Sequence, residues 1–254
     1  MALLEINNLK KSFADKEVLK DISLHVDKGQ VVAIIGPSGS GKSTLLRCAT
    51  TLETATSGEI KYENDYLVRM EGETPVFAGK EELKRIRNYF GLVFQNFNLF
   101  PHFSVLKNVT EAPIVVDGRD RAEVEREARD LLSQMGLEGT EEMYPCQLSG
   151  GMQQRVSIAR ALAKKPDILF FDEPTSALDP ELTGEILKVI RQLAEQHMTM
   201  VIVTHEMNFA RDVADYIIFM DGGYIVEQGP ATEMINHPKT ERLQNFLSRL
   251  NAEG

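Results

Sequence analysis

The sequence predicts an α/β fold with a mostly parallel core sheet, an antiparallel β portion near the N-terminus and an inserted helical lobe. The short apolar runs VVAII (31–35), ILFF (168–171) and MVIVT (200–204) are typical of strands that are buried on both faces. A helix-length segment separates the last two runs, as in parallel strands joined by crossover helices. Between residues 96 and 163 helical periodicity dominates, which predicts the inserted lobe.

The other elements follow from the same patterns. In the lobe, one face of a helix within residues 118–136 carries the apolar residues Val124, Ala128, Leu131, Leu132 and Met135. Asp179 is expected to cap a helix that Pro180 opens. In chain order we expect strands at 3–9 and 18–26, a helix at 45–52, a strand or hairpin at 58–66, a helix at 80–88, a strand at 91–95, a helix from Pro180 to about His197, a hairpin around Asp221-Gly222 and a short helix at 240–250.

Composition excludes several classes of protein. The chain has 254 residues, of which 43% are hydrophobic and 26% charged, so it buries a core without needing a disulfide or a metal. Cys48 and Cys146 lack metal-ligand or redox spacing, and we expect both to be buried or half-buried. The net charge of −10 argues against a nucleic-acid partner.

No signal peptide and no membrane-spanning helix are expected. The opening residues, MALLEINNLKKSF, lack a basic segment followed by a long apolar stretch. No apolar run approaches the roughly eighteen residues that a spanning helix requires. Work at a membrane would therefore depend on another chain that spans it.

Residues 36–43, GPSGSGKS, match the phosphate-binding motif G-x-x-x-x-G-K-[ST], known as Walker A, between a predicted strand and a predicted helix. Glycines let the backbone wrap around an anion with its N–H groups pointing inward, and the helix adds its positive end. Lys42 is expected to reach the β- and γ-phosphates of a nucleotide, and the Ser43 hydroxyl to ligate Mg²⁺. The predicted nucleotide-binding loop comprises Gly36, Pro37, Ser38, Gly39, Ser40, Gly41, Lys42, Ser43 and Thr44. Alone, this motif leaves kinases, GTPases, helicases and other ATPases open.

Two further strand ends carry polar side chains. Asp172 and Glu173 follow ILFF, and ligands of such sheets bind at the carboxyl ends of the strands. We expect Asp172 to hold Mg²⁺ and Glu173 to polarise the attacking water; a solvated pair of acids is the alternative. His205 ends the run MVIVT and is expected to donate a hydrogen bond to the γ-phosphate. The alternative for His205 is a core or capping histidine.

Residues 148–162, LSGGMQQRVSIARAL, resemble the signature of the ATP-binding cassette (ABC) family, which begins LSGGQ. Met152 stands where the family most often has Gln, whereas Ser149, Gly150 and Gly151 are intact. These three residues form a second small anion cradle at the start of a helix. The resemblance implies that two subunits pair head-to-tail, most simply as a homodimer, so that each signature closes on the ATP of its partner.

Further landmarks of the family follow in order. Phe13 matches the aromatic residue that stacks on adenine, with a core phenylalanine as the alternative. Gln95 matches the Q-loop glutamine, which contacts Mg²⁺ and the attacking water. Ser176–Asp179 matches the loop that crosses the dimer interface. The residues offered to the partner's ATP are thus Ser149, Gly150, Gly151, Met152 and Asp179.

The resemblance covers essentially the whole chain and implies one ABC ATPase domain over residues 1–254. Residues 1–95 and 164–254 would form the catalytic core lobe with its β-subdomain. Residues 96–163 would form the helical lobe that carries the signature.

Residues 91–113, GLVFQNFNLFPHFSVLKNVTEAP, look like those of the ATP-binding subunits of bacterial polar amino acid importers. The resemblance implies a peripheral protein on the cytoplasmic face of the membrane. Its partners would be integral-membrane permease subunits and, indirectly, an extracytoplasmic solute-binding protein. The apolar side chains of this segment favour a docking groove for a helix, with packing inside the lobe as the alternative: Phe97, Leu99, Phe100 and Phe103.

Two other functions stay open. The motor subunit of an ABC exporter would share every catalytic motif, and residues 91–113 are the feature that favours import. A soluble ABC ATPase of DNA repair or translation would carry long coiled-coil insertions or two cassettes, which this acidic chain lacks. LSGGMQQR together with SALD (176–179) excludes a small-molecule kinase.

Overall fold

The computed structural model describes residues 2–253. Its elements are β1 (Ala2–Phe13), β2 (Lys16–Asp27), β3 (Val31–Ile35), α1 (Lys42–Ala49), β4 (Ser57–Tyr62), β5 (Asp65–Glu71), β6 (Thr74–Phe77), α2 (Lys80–Tyr89), β7 (Phe90–Val93), α3 (Val105–Glu111), a π-helical turn (Ala112–Val116), α4 (Arg121–Gln134), a 3₁₀ turn (Pro145–Gln147), α5 (Gly150–Leu162), β8 (Ile168–Asp172), α6 (Pro180–Glu195), β9 (Thr199–Val203), α7 (Met207–Val213), β10 (Tyr216–Asp221), β11 (Tyr224–Pro230), α8 (Ala231–Asn236) and α9 (Glu241–Glu253).

The core sheet is mostly parallel, as the sequence predicts. Its spatial order is β11-β10-β3-β9-β8-β7, and every neighbouring pair is parallel except the hairpin of β10 and β11. All residues of β3, β8 and β9 are buried. These strands are therefore covered on both faces, which explains their unbroken apolar sequences.

A second, antiparallel sheet has the order β2-β1-β4-β5-β6. It confirms the antiparallel β portion near the N-terminus, and its strands β1 and β2 are longer than the sequence predicts. The strand pattern is weak after Glu63, yet residues 65–77 form the hairpin of β5 and β6. β6 has only four residues, two of them exposed and none buried, so its sequence carries no clear alternation.

The region between β7 and β8 is helical. Val124, Ala128 and Leu132 are buried along one face of α4, as expected. Asp120 caps this helix by accepting a hydrogen bond from the backbone N–H of Glu123 at 3.0 Å. The division of the chain into a core lobe and a lobe of residues 96–163 stays a prediction.

Several boundaries differ from those expected. α1 begins at Lys42 and ends at Ala49, where the Thr50 hydroxyl donates back to the Leu46 carbonyl oxygen at 2.8 Å. β7 ends at Val93, so Gln95 lies in the following loop. Cys48 is buried but Cys146 is exposed, so the expectation of a buried or half-buried thiol is wrong for Cys146. In the described part of the chain, no helix is long and apolar enough to span a membrane.

Candidate functional site

The predicted site residues follow the ends of four adjacent parallel strands. The loop of residues 36–44 follows β3, His205 follows β9, Asp172 ends β8 and Gln95 follows β7. These strands neighbour one another in the order β3-β9-β8-β7. Because they are parallel, their carboxyl ends meet at one edge of the sheet.

The loop after β3 depends on glycine where the chain crowds against β10. Gly36 has φ of +146°, and a Cβ there would lie 2.0 Å from the carbonyl oxygen of Met220. Gly41 has φ of +103° and precedes the first turn of α1. The N–H groups of that first turn have no partner within the helix, so they are available to an anion.

Lys42 is held inside its own loop. Its side chain is 4% exposed, and Nζ donates hydrogen bonds to the carbonyl oxygens of Gly36 at 2.8 Å and Pro37 at 3.1 Å. Burial lowers the pKa of Lys42, although Glu173 and Asp172 act in the opposite direction. Two neutral carbonyl oxygens thus accept hydrogen bonds from a desolvated ammonium group. A phosphate would accept stronger, charge-assisted bonds from it.

Ser43 and Asp172 connect the loop to the end of β8. The Ser43 hydroxyl donates a hydrogen bond of 2.7 Å to Asp172 Oδ1. Burial raises the pKa of Asp172, while the bond from Ser43 opposes that shift. A hydroxyl and a carboxylate side by side are hard oxygen donors of the kind Mg²⁺ prefers, and Mg²⁺ usually keeps several waters besides such ligands. The pair fits a magnesium site.

Glu173 has a strained backbone that several hydrogen bonds hold. Its φ is +49°, which is unfavourable for a residue with a Cβ. Its N–H donates to the Val203 carbonyl oxygen at 3.1 Å, and its carbonyl accepts from the Ser176 N–H and hydroxyl at 3.2 and 3.0 Å. This conformation directs the side chain to His205, whose Nε2 lies 3.1 Å from Glu173 Oε1.

A cleft of about 480 Å³ lies over these residues. Its size suits a small-molecule ligand. It extends from the phosphate-binding loop to the start of β2, and its lining comprises Lys16, Glu17, Val18, Lys20, Ser38, Gly39, Gly41, Lys42, Ser43, Thr44, Glu173, Gly222 and Gly223. Phe13 is not among them, but it pairs with Lys16 in the hairpin that borders the cleft. Phe13 is 43% exposed, and Lys11 Nζ lies 4.4 Å from its ring centre, so it is not a core phenylalanine.

The signature lies outside this cleft. Ser149 is exposed and caps α5, accepting a hydrogen bond from the backbone N–H of Met152 at 3.3 Å. Asp179 is also exposed and caps α6, accepting from the N–H of Leu182 at 2.9 Å, as its position before Pro180 predicts. Neither residue lines the cleft of its own subunit.

Gln95 lies in the loop after β7 and is exposed. Its contact with Mg²⁺ and the attacking water stays a prediction. In the loop that follows, Phe100 is 49% exposed, whereas Leu99 packs against the core. The packing alternative therefore holds for Leu99.

Two residues that the sequence does not single out organise this loop. Asn108 in α3 is buried and bonds the N–H of Phe100 at 2.8 Å and the carbonyls of Phe100, Phe103 and Ser104, each at 3.1 Å. Arg160 in α5 donates to the carbonyl of Phe97 at 2.9 Å and of Asn98 at 2.7 Å. An asparagine and an arginine on helices read as ordinary surface residues, so only the fold reveals these bonds.

Residues 19–176 match the family described as ABC transporter, a span that includes the phosphate-binding loop, the signature and the end of β8. The chain belongs to the ABC transporter family. This ABC protein accordingly binds ATP and is an ATPase. The resemblance and the α/β fold expected from the sequence are confirmed.

Curated relatives match the ABC chain over almost its whole length. The L-cystine import ATP-binding protein TcyC of Bacillus subtilis (strain 168) is 50% identical over 248 residues, covering 98% of both chains. The L-cystine transport system ATP-binding protein TcyN of Escherichia coli (strain K12) is 52% identical, again with 98% of each chain covered. The glutamine transport ATP-binding protein GlnQ of Geobacillus stearothermophilus is 49% identical over 98% of this chain and 99% of its own.

Solved structures agree on the ABC fold. A dimeric post-hydrolysis state of the ATP-binding cassette MJ0796, bound to ADP and Pi, aligns with a TM-score of 0.76 at 34% identity, covering 90% of this chain and 98% of that one. The cbiO1 protein of Clostridium perfringens, part of the ABC transporter complex cbiONQ, aligns with a TM-score of 0.80 at 27% identity, covering 99% and 98%.

Proposed function

We propose that this chain is the ATP-hydrolysing subunit of an importer of polar amino acids. The observation that carries this proposal is about 50% identity over 98% of the chain to an ATP-binding protein named for L-cystine import. Similar identity links the chain to ATP-binding proteins named for L-cystine transport and for glutamine transport. The acidic chain, with its net charge of −10, is unsuited to the nucleic-acid alternative.

The site residues have distinct roles in the proposed hydrolysis. Lys42 exchanges its carbonyl partners for the β- and γ-phosphates, and the free N–H groups at the start of α1 bind the same oxygens. Ser43 and Asp172 would hold Mg²⁺, which neutralises charge on the phosphates when bound. Glu173 accepts a proton from the attacking water. The N–H of His205 that lies against the Glu173 carboxylate donates to the γ-phosphate once ATP is bound.

We propose that two copies of the chain form the complete sites. Ser149 and Asp179 are exposed caps whose helices begin outside the cleft of their own subunit. In a head-to-tail homodimer with twofold symmetry, Ser149, Gly150, Gly151, Met152 and Asp179 would face the ATP that the partner's Walker A binds. The dimeric MJ0796 cassette bound to ADP and Pi supports this arrangement.

The proposed membrane contact lies on the helical region that follows Gln95. Large hydrophobic side chains are exposed there in the loop after β7, in the π-helical turn and before the 3₁₀ turn: Phe100 (49%), Val115 (66%), Val116 (58%), Met143 (37%) and Tyr144 (45%). The backbone N–H of Val105 bonds the Met143 carbonyl oxygen at 2.8 Å, so the loop of Phe100 and the segment of Met143 lie beside the same end of α3. This surface suits an apolar helix of a permease subunit on the cytoplasmic side of the membrane. A solute-binding protein would act from the opposite side.

Two substitutions separate binding from hydrolysis. In Lys42→Ala the phosphates lose a charged donor, so ATP binding itself weakens. In Glu173→Gln the site keeps its shape but loses the group that accepts the proton, so ATP binds and turnover falls at least about 100-fold, or roughly 3 kcal/mol of barrier. Phosphate release and binding of a fluorescent ATP analogue measure the two effects. Near-normal turnover of Glu173→Gln would assign the base to another residue.

Reconstitution tests the transport function. Purified permease subunits are reconstituted with this chain in vesicles, and ATP-dependent uptake of cystine, glutamine and arginine is measured alongside export of the same solutes. Replacing Phe97, Phe100 and Phe103 with Ser is expected to leave ATPase activity of the free subunit intact and to abolish assembly and uptake. Arg129→Ser on the exposed face of α4 is the control. Normal uptake by the triple variant would move the docking surface elsewhere, and export instead of uptake would refute the importer.

A further inference from the structure

A glutamine of the signature helix reaches the segment that carries Glu173. Gln154 lies near the start of α5 and is 0% exposed. Its side-chain Nε2 donates a hydrogen bond of 2.9 Å to the carbonyl oxygen of Pro174, the residue directly after Glu173. The bond joins positions that are 20 residues apart in the chain.

The other half of this amide is unsatisfied. Gln154 Oε1 is buried and accepts no hydrogen bond from any residue between 2 and 253. A buried acceptor without a partner destabilises a fold, and an apolar side chain of similar length would avoid that penalty. The unsatisfied oxygen therefore counts against glutamine here, whereas methionine or leucine would remove it but leave the Pro174 carbonyl without this donor. The donated bond to Pro174 is what distinguishes glutamine.

Through Pro174, the segment that carries the strained Glu173 is hydrogen-bonded to helix α5. The backbone of Glu173 is fixed by its own N–H and carbonyl, through Val203 and Ser176. Proline has no N–H, so its backbone can be anchored only through its carbonyl oxygen. Gln154 supplies that anchor, and it lies on a different element from the groups that hold Glu173 itself.

The start of α5 packs tightly against the chain that follows Pro174. A Cβ at Gly150 would lie 3.1 Å from Leu178 Cδ2, and a Cβ at Gly151 would lie 3.0 Å from Leu182 Cδ2. Close-packed contacts of this kind leave no slack between two segments. A shift of the signature end of α5 must therefore reach residues 174–182.

We propose that Gln154 is a positioning residue that ties the signature helix to Glu173. The signature would contact the partner's ATP, whereas Glu173 acts on the ATP of its own subunit, so Gln154 links the two sites of the dimer. This inference rests on the proposed head-to-tail dimer. It predicts that Gln154 controls the rate of hydrolysis and the cooperativity between sites, but not the affinity of one subunit for ATP.

The test replaces Gln154 with Met in the full chain, with Gln154→Leu as a second variant of different shape. We expect kcat to fall about tenfold, within the 5–150-fold span of couplings between sites, and the Hill coefficient for ATP to approach 1. Affinity of the monomer for a fluorescent ATP analogue should stay within about twofold. Tm should change little, because the substitution removes one orphaned acceptor, Gln154 Oε1, and takes the donor from another, the Pro174 carbonyl oxygen. Gln192→Met on the exposed face of α6 is the control and should behave as wild type.

Each alternative result has a distinct meaning. Wild-type kcat and cooperativity in Gln154→Met would overturn the proposal. A parallel fall of Tm, affinity and kcat in both variants would also overturn it, because that pattern describes a merely structural residue. ATP-dependent dimerisation of Gln154→Met in a Glu173→Gln background is expected to persist. A wild-type protein that neither hydrolyses ATP nor dimerises would refute the proposed function, and this inference with it.

Discussion

The substitution Arg160→Met should make the loop after β7 open more often. The substitution keeps the aliphatic length of the side chain but removes the guanidinium group that donates to the carbonyls of Phe97 and Asn98. Both of those residues have positive φ, of +59° and +48°. Left-handed backbone costs about 1–2 kcal/mol for most residues with a Cβ, although asparagine tolerates it better. The conformation of Phe97 in particular therefore depends on hydrogen bonds from outside the loop.

The magnitude follows from these contacts. A hydrogen bond from a charged donor contributes about 1.5–3 kcal/mol, so two bonds contribute about 3–6 kcal/mol in total. Burial lowers the pKa of Arg160, which shows that desolvation of the guanidinium offsets part of this gain. A net loss of about 2–3 kcal/mol in the free energy of loop opening is expected, or about 30- to 150-fold more frequent opening.

Hydrogen exchange followed by mass spectrometry measures how often this loop opens. The N–H of Phe100, which bonds Asn108 Oδ1 at 2.8 Å, lies in the same loop, and its peptide should exchange faster by that factor. Arg160→Lys keeps the charge but has a single side-chain nitrogen, so its exchange rate should lie between those of wild type and Arg160→Met. Arg129→Met on the surface of α4 should leave exchange unchanged. Unaltered exchange of the 94–104 peptides in Arg160→Met would refute the role assigned to the guanidinium.

Two further predictions concern association and pH. Ser149→Arg should abolish ATP-dependent dimerisation of Glu173→Gln protein in sizing chromatography, yet spare nucleotide binding by the monomer; a dimer that survives would contradict the shared site. Hydrogen bonds from Lys165 and Arg119 lower the pKa of Glu127 from 4.5 to about 2. Because the folded-state pKa is depressed, this stability is fully present above about pH 4.5 and is lost as the pH falls toward 2. The side chain of Glu127 is 29% exposed, so screening limits the effect to about 1 kcal/mol or less. Urea unfolding at pH 7 and pH 3.5 measures the difference in free energy of unfolding between wild type and Glu127→Gln. This difference should be smaller at pH 3.5, and an equal difference at both pH values would refute the contribution of the Glu127 carboxylate.

The sequence predicts the parts of the fold that have a strong period or a strong motif. The buried runs of β3, β8 and β9, the amphipathic face of α4 and the Asp179 cap all follow from local rules. β6, α7 and α8 have only four to seven residues. That is too short for a period to emerge against the background of the chain.

The site is predictable in the same uneven way. Walker A and the acids after β8 carry their chemistry in consecutive residues, so a motif reveals them. The partners of Gln154 and Arg160 lie 20 and more than 60 positions away along the chain. Glu173 adopts a left-handed backbone that its residue type disfavours. Bonds and strain of this kind exist only after the fold has formed, and local sequence does not specify them.

The Lys42 ammonium group donates hydrogen bonds to the carbonyl oxygens of Gly36 and Pro37, and these bonds have a consequence for nucleotide exchange. These backbone dipoles compensate part of the ammonium charge, so the loop can keep this shape without an anion. Little ordering entropy would then remain to be lost when ATP enters. When ATP replaces ADP, the Lys42 ammonium group can then exchange carbonyl oxygens for phosphate oxygens without a rearrangement of the loop.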